Sequence, residues 1–269
     1  KCVIKIFCPA SVSSDLFKLQ KFHNLIYHLL GRITRLFPNT RTLFSHGMQA
    51  TFFVPVNNHY ICEDLKDMEN RTREPQLYAW LNALEEGAVF FDVGTSYGQE
   101  SAFAASPHRK GVQVFGFDCS LYQSHFCALN KSLNDGRFRF VFAAIGEKSG
   151  ELISITANSD THIPALHKKN VPYEYEVMTL ALDDFARTNN VKPTHIKIDV
   201  DGAEFDVLKG AKSILASSSI RDVFIEIDRV NLTIIDYMIA LGFRVDWTVE
   251  KEQNVDVMFT KEPEAAPVV

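Results

Sequence analysis

Residues 89–101 read VFFDVGTSYGQES, and the fold turns on this stretch. An apolar run, Val89 to Phe91, ends on Asp92 and gives way to a turn with glycines at 94 and 98. Residues that can continue as a helix follow. A strand that stops in this way presents backbone to a ligand. Glycine removes a side chain where something must approach closely, or allows a positive φ, and the first N–H groups of a helix are unpaired donors.

The flanks repeat the theme. After EPQLYAWLNALEEG (74–87), with Pro75 suited to a first helical turn and Gly87 just past the helix end, apolar runs alternate with helical patterns. VQVFGFD (112–118) precedes LYQSHFCALNKSL, and RFRFVFAAIG (137–146) runs into an alternating ELISIT. THIKIDV (194–200) precedes AEFDVLKGAKSILA, DVFIEID (222–228) precedes LTIIDYMIALG, and FRVDW and VDVMFTK close the series as an antiparallel pair. Strands alternating with helices predict an α/β fold, a mostly parallel doubly wound sheet covered on both faces. Such sheets gather ligands beyond the carboxyl ends of their strands, where strand order reverses.

The pattern Asp-x-Gly-x-x-x-Gly is not the Gly-x-Gly-x-x-Gly that cradles a pyrophosphate. An acid at the turn repels phosphate and suits an ammonium or a sulfonium; S-adenosylmethionine carries both. Asp118 ends the next strand, and a carboxylate there can accept both hydroxyls of an adenosine ribose, although a dinucleotide enzyme places an acid similarly. In HIKIDVDGAE, alternation puts His195, Lys197 and Asp199 on one side and Ile196, Ile198 and Val200 on the other. Charges in a central strand require partners, and Glu226 on the neighbouring strand is a candidate partner for Lys197. Asp199, Asp201 and Glu204 crowd the turn where a substrate would meet a cofactor.

The bulk composition narrows the classes. The chain has 269 residues, 46% of them hydrophobic, enough for one domain and an appendage. Its five cysteines show no CxxC and no pairing with histidine, which disfavours zinc or a disulfide scaffold and suits a reducing, cytoplasmic setting. Residues 1–50 hold seven Lys/Arg against one acid, while the remainder holds 21 against 32. No nucleic-acid-reading motif is present, and no apolar run approaches the roughly 18–20 residues of a membrane span. The chain opens on Lys1 rather than Met, which leaves a preceding segment open. Residues 15–37 form a basic amphipathic pattern, fit for a peripheral membrane contact or a homodimer as well as for packing on its own domain. The expected division is a basic helical extension over 1–50, a catalytic domain over 51–262 and a frayed tail over 263–269.

Taken in order, FFDVGTSYGQES, FGFD, CALNKSLN, FAAIGEKSGEL, VMTLALDDF, IKIDVDGAEFDVLKGA and FIEI resemble the FkbM-type methyltransferase family over roughly residues 74–259. The resemblance implies a class I, Rossmann-like fold using S-adenosylmethionine, commonly for O-methylation of sugars, polyketides or other small secondary metabolites. Carried over by position, Asp92, Gly94 and Gly98 line the methionine end of the cofactor, Asp118 holds the ribose and Ala143 lies near the adenine, with Thr95 and Cys119 also among the expected cofactor-binding residues. Asp199 and Glu204 match the family's acidic pair. Thr95-Ser96 and Asp118-Cys119 depart from the family's usual Ala-Asn and Glu-Pro. Asp199 is the expected base or acceptor-orienting group, with Glu204 assisting, and His162 in the polar loop 158–170 is a second candidate. No metal is required. Two readings from other classes stay open: a nicotinamide-dependent oxidoreductase on a similar sheet, and a non-catalytic scaffold that keeps the fold.

Overall fold

The computed structural model describes residues 39–54, 59–158 and 172–261. The helix expected over 15–37, His162 and the tail over 263–269 lie outside the described residues. The described residues from Thr40 onward belong to one compact unit. Thr40–Ser45 (β1) pairs antiparallel with Met48–Phe53 (β2). His46 and Gly47, both at positive φ, make the two-residue turn between them.

Seven strands build the central sheet: Val89–Val93 (β3), Gln113–Asp118 (β4), Phe138–Phe142 (β5), His195–Ile198 (β9), Asp222–Asp228 (β10), Arg244–Glu250 (β11) and Asn254–Thr260 (β12). Their order is β11-β12-β10-β9-β3-β4-β5. β5, β4, β3, β9 and β10 are mutually parallel, and β12 lies antiparallel between β10 and β11. From β3 the chain moves outward to β4 and β5, then returns to place β9 on the other side of β3. Strand order therefore reverses between β3 and β9.

Successive residues of a strand point to opposite faces, and the core divides accordingly. Phe90 and Phe224 pack on one face with Tyr78, Leu81 and Phe103, the last three from Pro75–Ala83 (α2) and Gln99–Ala104 (α3). Phe91, Ile196 and Ile198 pack on the other with Phe185, Val207 and Leu215. These come from Leu182–Asn189 (α5), Glu204–Gly210 (α6) and Lys212–Ala216 (α7). Burying such side chains contributes about 1.5–3 kcal/mol each. Helix α2 ends at Ala83, short of the stop expected at Gly87, which serves a later turn at φ 82°.

Two smaller sheets flank the main one. The β1–β2 hairpin packs on His59–Asn70 (α1) and on Leu121–Leu133 (α4). Its free edge is closed by side chains: Gln49, Thr51 and Phe53 donate their N–H groups to Ser106 Oγ (2.9 Å), Asn134 Oδ1 (2.9 Å) and Asn130 Oδ1 (2.7 Å). That answers donors an edge strand otherwise leaves open. Ala144–Ile145 (β6), Leu152–Asn158 (β7) and Pro172–Leu180 (β8) form the second, in the order β6-β8-β7. The sequence pattern marks β7 as a strand but does not mark β8. Thr233–Ala240 (α8) follows β10 and completes the described helices.

Candidate functional site

The turn after β3 is built around a buried acid. Asp92 is fully buried, and its Oδ2 accepts from Thr95 Oγ1 and Ser101 Oγ, each at 2.7 Å. Its Oδ1 has no hydrogen-bond partner and lies 3.6 Å from Lys197 Nζ. Asp92 and Thr95 are thus turned inward and fix the turn. Gly94 sits at φ 77°, and a Cβ there would lie 1.7 Å from the Asp199 carbonyl oxygen. Gly98 is buried at the same φ, where a Cβ would meet Cys127 Sγ at 2.8 Å. The second glycine therefore serves helix packing, while Gly94 and Ser96 leave backbone partly exposed.

Helix α3 is six residues long and carries Glu100 in its first turn, buried against Tyr78 Oη at 2.7 Å and 3.7 Å from Arg73. An acid at that position makes the helix start a poor receiver for an anion. What the turn offers is negative potential, which suits cationic groups.

Asp118 closes β4 and ties two loops together. Its Oδ2 accepts from the Ser96 N–H at 2.8 Å and its Oδ1 from the Ser120 N–H at 2.7 Å. Burial pushes its pKa up to about 6 against the lowering effect of these two bonds. Each oxygen keeps a further lone pair, so the carboxylate can still accept from two adjacent hydroxyls. The Ala143 N–H donates to the Asp118 carbonyl at 3.0 Å, which brings the end of β5 alongside. The Cys119 carbonyl accepts from Tyr175 Oη at 2.8 Å, and burial pushes the Cys119 thiol up to about 11. Leu121 and Phe142, 46% and 43% exposed, flank this corner as uncovered apolar surface.

On the other side of β3, Asp199 donates its N–H to the Val93 carbonyl at 3.0 Å. Its Oδ2 accepts from Lys197 Nζ at 2.9 Å. Lys197 is 1% exposed, and although burial opposes its charge, Asp199, Asp92 and Glu100 hold its pKa above the ordinary value. Burial likewise resists ionisation of Asp199, but the Lys197 ammonium outweighs it and its pKa lies below the usual range. Glu204 is buried and faces its own loop: Oε1 accepts from the Gly202 N–H at 2.9 Å and Oε2 from Asn231 Nδ2 at 3.2 Å. These bonds brace the turn before α6.

Glu226 is not the partner of Lys197. It lies on the same face one strand over, where Lys251 Nζ sits 2.6 Å from Glu226, 2.7 Å from Glu74 and 2.9 Å from Asp256. These three carboxylates are the one such group among the described residues with metal-ligand spacing, and the Lys251 ammonium occupies it.

Sequence reasoning missed Ser101, Tyr175, Gly116 and this lysine cage. Gly116 carried a signal, since an isolated glycine inside a strand marks close approach. A Cβ there would lie 2.7 Å from Ser101 Oγ and 3.0 Å from Thr95 Oγ1.

A parallel sheet in this order, with one reversed strand between β10 and β11, is a class I, Rossmann-like methyltransferase fold. The family model described as "Methyltransferase FkbM domain" matches residues 92–245, and the chain belongs to that family. Among solved structures it is similar to the methyltransferase FkbM from Methylobacillus flagellatus KT, at 17% identity and a TM-score of 0.48 over 75% of this chain and 55% of that one. It is also similar to Aeropyrum pernix fibrillarin in complex with natively bound S-adenosyl-L-methionine, at 10% identity and a TM-score of 0.48 over 82% and 94% of the two chains. A third is M. capricolum TrmK in complex with S-adenosyl-homocysteine, at 8% identity and a TM-score of 0.45 over 72% and 71%. The chain thus spans 55% of the length of the FkbM structure it matches. No curated protein matches it. Among the described residues no helix is long and apolar enough to cross a membrane.

Proposed function

We propose that this chain methylates a hydroxyl oxygen of a small molecule, a carbohydrate or secondary metabolite, using S-adenosylmethionine. The observation that carries the reading is Asp118. One carboxylate at the end of β4 organises both loops of the crevice and keeps two lone pairs for a diol. The residues fit the cofactor. Gly94 and Ser96 present backbone beside a buried acid, Asp118 would hold the ribose, and Cys119 and Ala143 frame a corner where an aromatic base would cover the exposed Leu121 and Phe142.

When bound, the cofactor supplies an electrophilic methyl group on a sulfonium. The chain's own work is alignment and proton handling. Positioning two reactants in line is worth several kcal/mol. Asp199, fixed to β3 through Val93, accepts a hydrogen bond from the acceptor hydroxyl and so orients its lone pair. Its depressed pKa makes it a weak base, adequate for a proton that becomes strongly acidic only as the new bond forms. The excess of acid over base in residues 51–269 supports a small-molecule acceptor over a nucleic acid.

Calorimetry with S-adenosylmethionine and S-adenosylhomocysteine tests the reading. Binding of both, weakened at least tenfold in Asp118→Ala, is expected. Absence of heat and of any thermal shift with either would instead favour the scaffold. Titration with NAD and NADP addresses the oxidoreductase, which the family match already disfavours.

A further inference from the structure

The buried Lys197 keeps the Asp199 pKa low, and it also joins the cofactor turn to the proposed acceptor side. Its Nζ lies between Asp92 Oδ1, at 3.6 Å, and Asp199 Oδ2, at 2.9 Å. The two carboxylates are not equivalent. Asp92 is sealed in, with its other oxygen bound to Thr95 and Ser101. The Asp199 side chain is 35% exposed, and among the described residues Lys197 alone bonds to its carboxylate. Asp199 also touches the turn directly, through the Val93 carbonyl and through the space that Gly94 leaves for its own carbonyl.

We propose that Asp199, held ionised and in place by Lys197, distinguishes the cationic methyl donor from its neutral product. The inference rests on S-adenosylmethionine being the cofactor. Methyl transfer turns a sulfonium into an uncharged thioether, so a fixed carboxylate beside the turn attracts the donor and not the product. A carboxylate could do this alone only if it stayed ionised in a half-buried place, where desolvation favours the protonated form. The ammonium behind it prevents that. Arg73 and Lys251, the other cations acting on Asp199, push in the same direction. Lys197 is thus a positioning residue and Asp199 the group that reads charge. Once the donor's charge is gone the attraction is gone, and product release is eased.

The test compares two ligands that differ at the sulfur position: S-adenosylhomocysteine, neutral at the thioether, and sinefungin, in which an amine-bearing carbon replaces the methylated sulfonium. Calorimetry on the full chain gives the ratio of their affinities, a quantity that a purely structural role moves little. Asp199→Asn is near-isosteric, and it is expected to weaken sinefungin about tenfold more than S-adenosylhomocysteine. In Lys197→Met the ratio is expected to fall the same way, because Asp199 without its ammonium takes up a proton. A rise there would mean that Lys197 merely repels cations and would overturn its role. If Lys197→Met fails to fold, Asp199→Asn still decides the charge reading. Both ligands binding Asp199→Asn with an unchanged ratio would overturn the inference while leaving the cofactor assignment intact. Neither ligand binding the native chain would overturn both.

Discussion

The Asp118 carboxylate lies 2.8 Å from the Ser96 backbone nitrogen, so the end of β4 and the turn after β3 are one hydrogen-bonded unit. A ligand bound at either loop is held by both, and the state of one carboxyl group sets the geometry of the crevice.

That unit is expected to titrate near neutrality. Burial raises the Asp118 pKa from 3.8 to about 6. Stability drawn from its protonated form is complete below 3.8 and is lost as pH rises through about 6. On the proposed reading of Asp118, cofactor affinity is expected to run the other way, since a carboxylate accepts from two hydroxyls and a carboxylic acid does so less well. S-adenosylhomocysteine affinity measured by calorimetry is expected to rise across that window and then level off. Asp118→Asn is expected to flatten the profile.

Gly94 and Gly87 share a φ near 80° but not a setting. A Cβ at Gly94 would fall 1.7 Å from the Asp199 backbone oxygen, whereas at Gly87 nothing lies within 4 Å. Gly87→Ala should lose only the left-handed backbone penalty, about 1–2 kcal/mol. Gly94→Ala must push the ends of β3 and β9 away from each other and is expected to lose more than about 4 kcal/mol, or to prevent folding. Denaturant unfolding of the two variants separates the cases.

Lys251 joins the turn between β11 and β12 to Glu74 ahead of α2 and to Glu226 on β10. Lys251→Met leaves three carboxylates within 4.8 Å of one another and is expected to destabilise the chain by about 2 kcal/mol. Adding Glu74→Gln should return some of that loss, which a double-mutant cycle reads as coupling.

Cys119 and Cys127 should be sluggish nucleophiles. Burial raises the Cys119 thiol to about 11, and it raises buried Cys127 further still. Iodoacetamide at neutral pH is expected to modify Cys119 far more slowly than a free thiol. Cys127 should react only after unfolding, as peptide mapping would show.

Much of this is legible in the order of residues. VFFDV reads as a buried strand because apolar side chains run along both faces, and Asp118 falls at the next strand's end because VFGFD stops as VFFDV does. β8 escapes such a reading although YEYEV alternates, because it pairs with β7 across residues 159–171 and such pairing leaves no local trace. The true partner of Glu226 escapes it for a similar reason. Strand alternation fixes the face on which a charge lies but not which neighbour reaches it, and Lys251 arrives from a turn that periodicity cannot position.

The sequence by itself determined the class of fold, the glycine turn and the acids that surround it, since periodicity and residue chemistry are local properties of a chain. Tertiary structure alone decided which acids face outward. Asp92 and Glu204 are buried, as is Thr95, whereas Asp118 and Asp199 are half-buried and reach the surface. The physical reason is that a carboxylate's role depends on the donors already bound to it, and those come from residues distant in the chain.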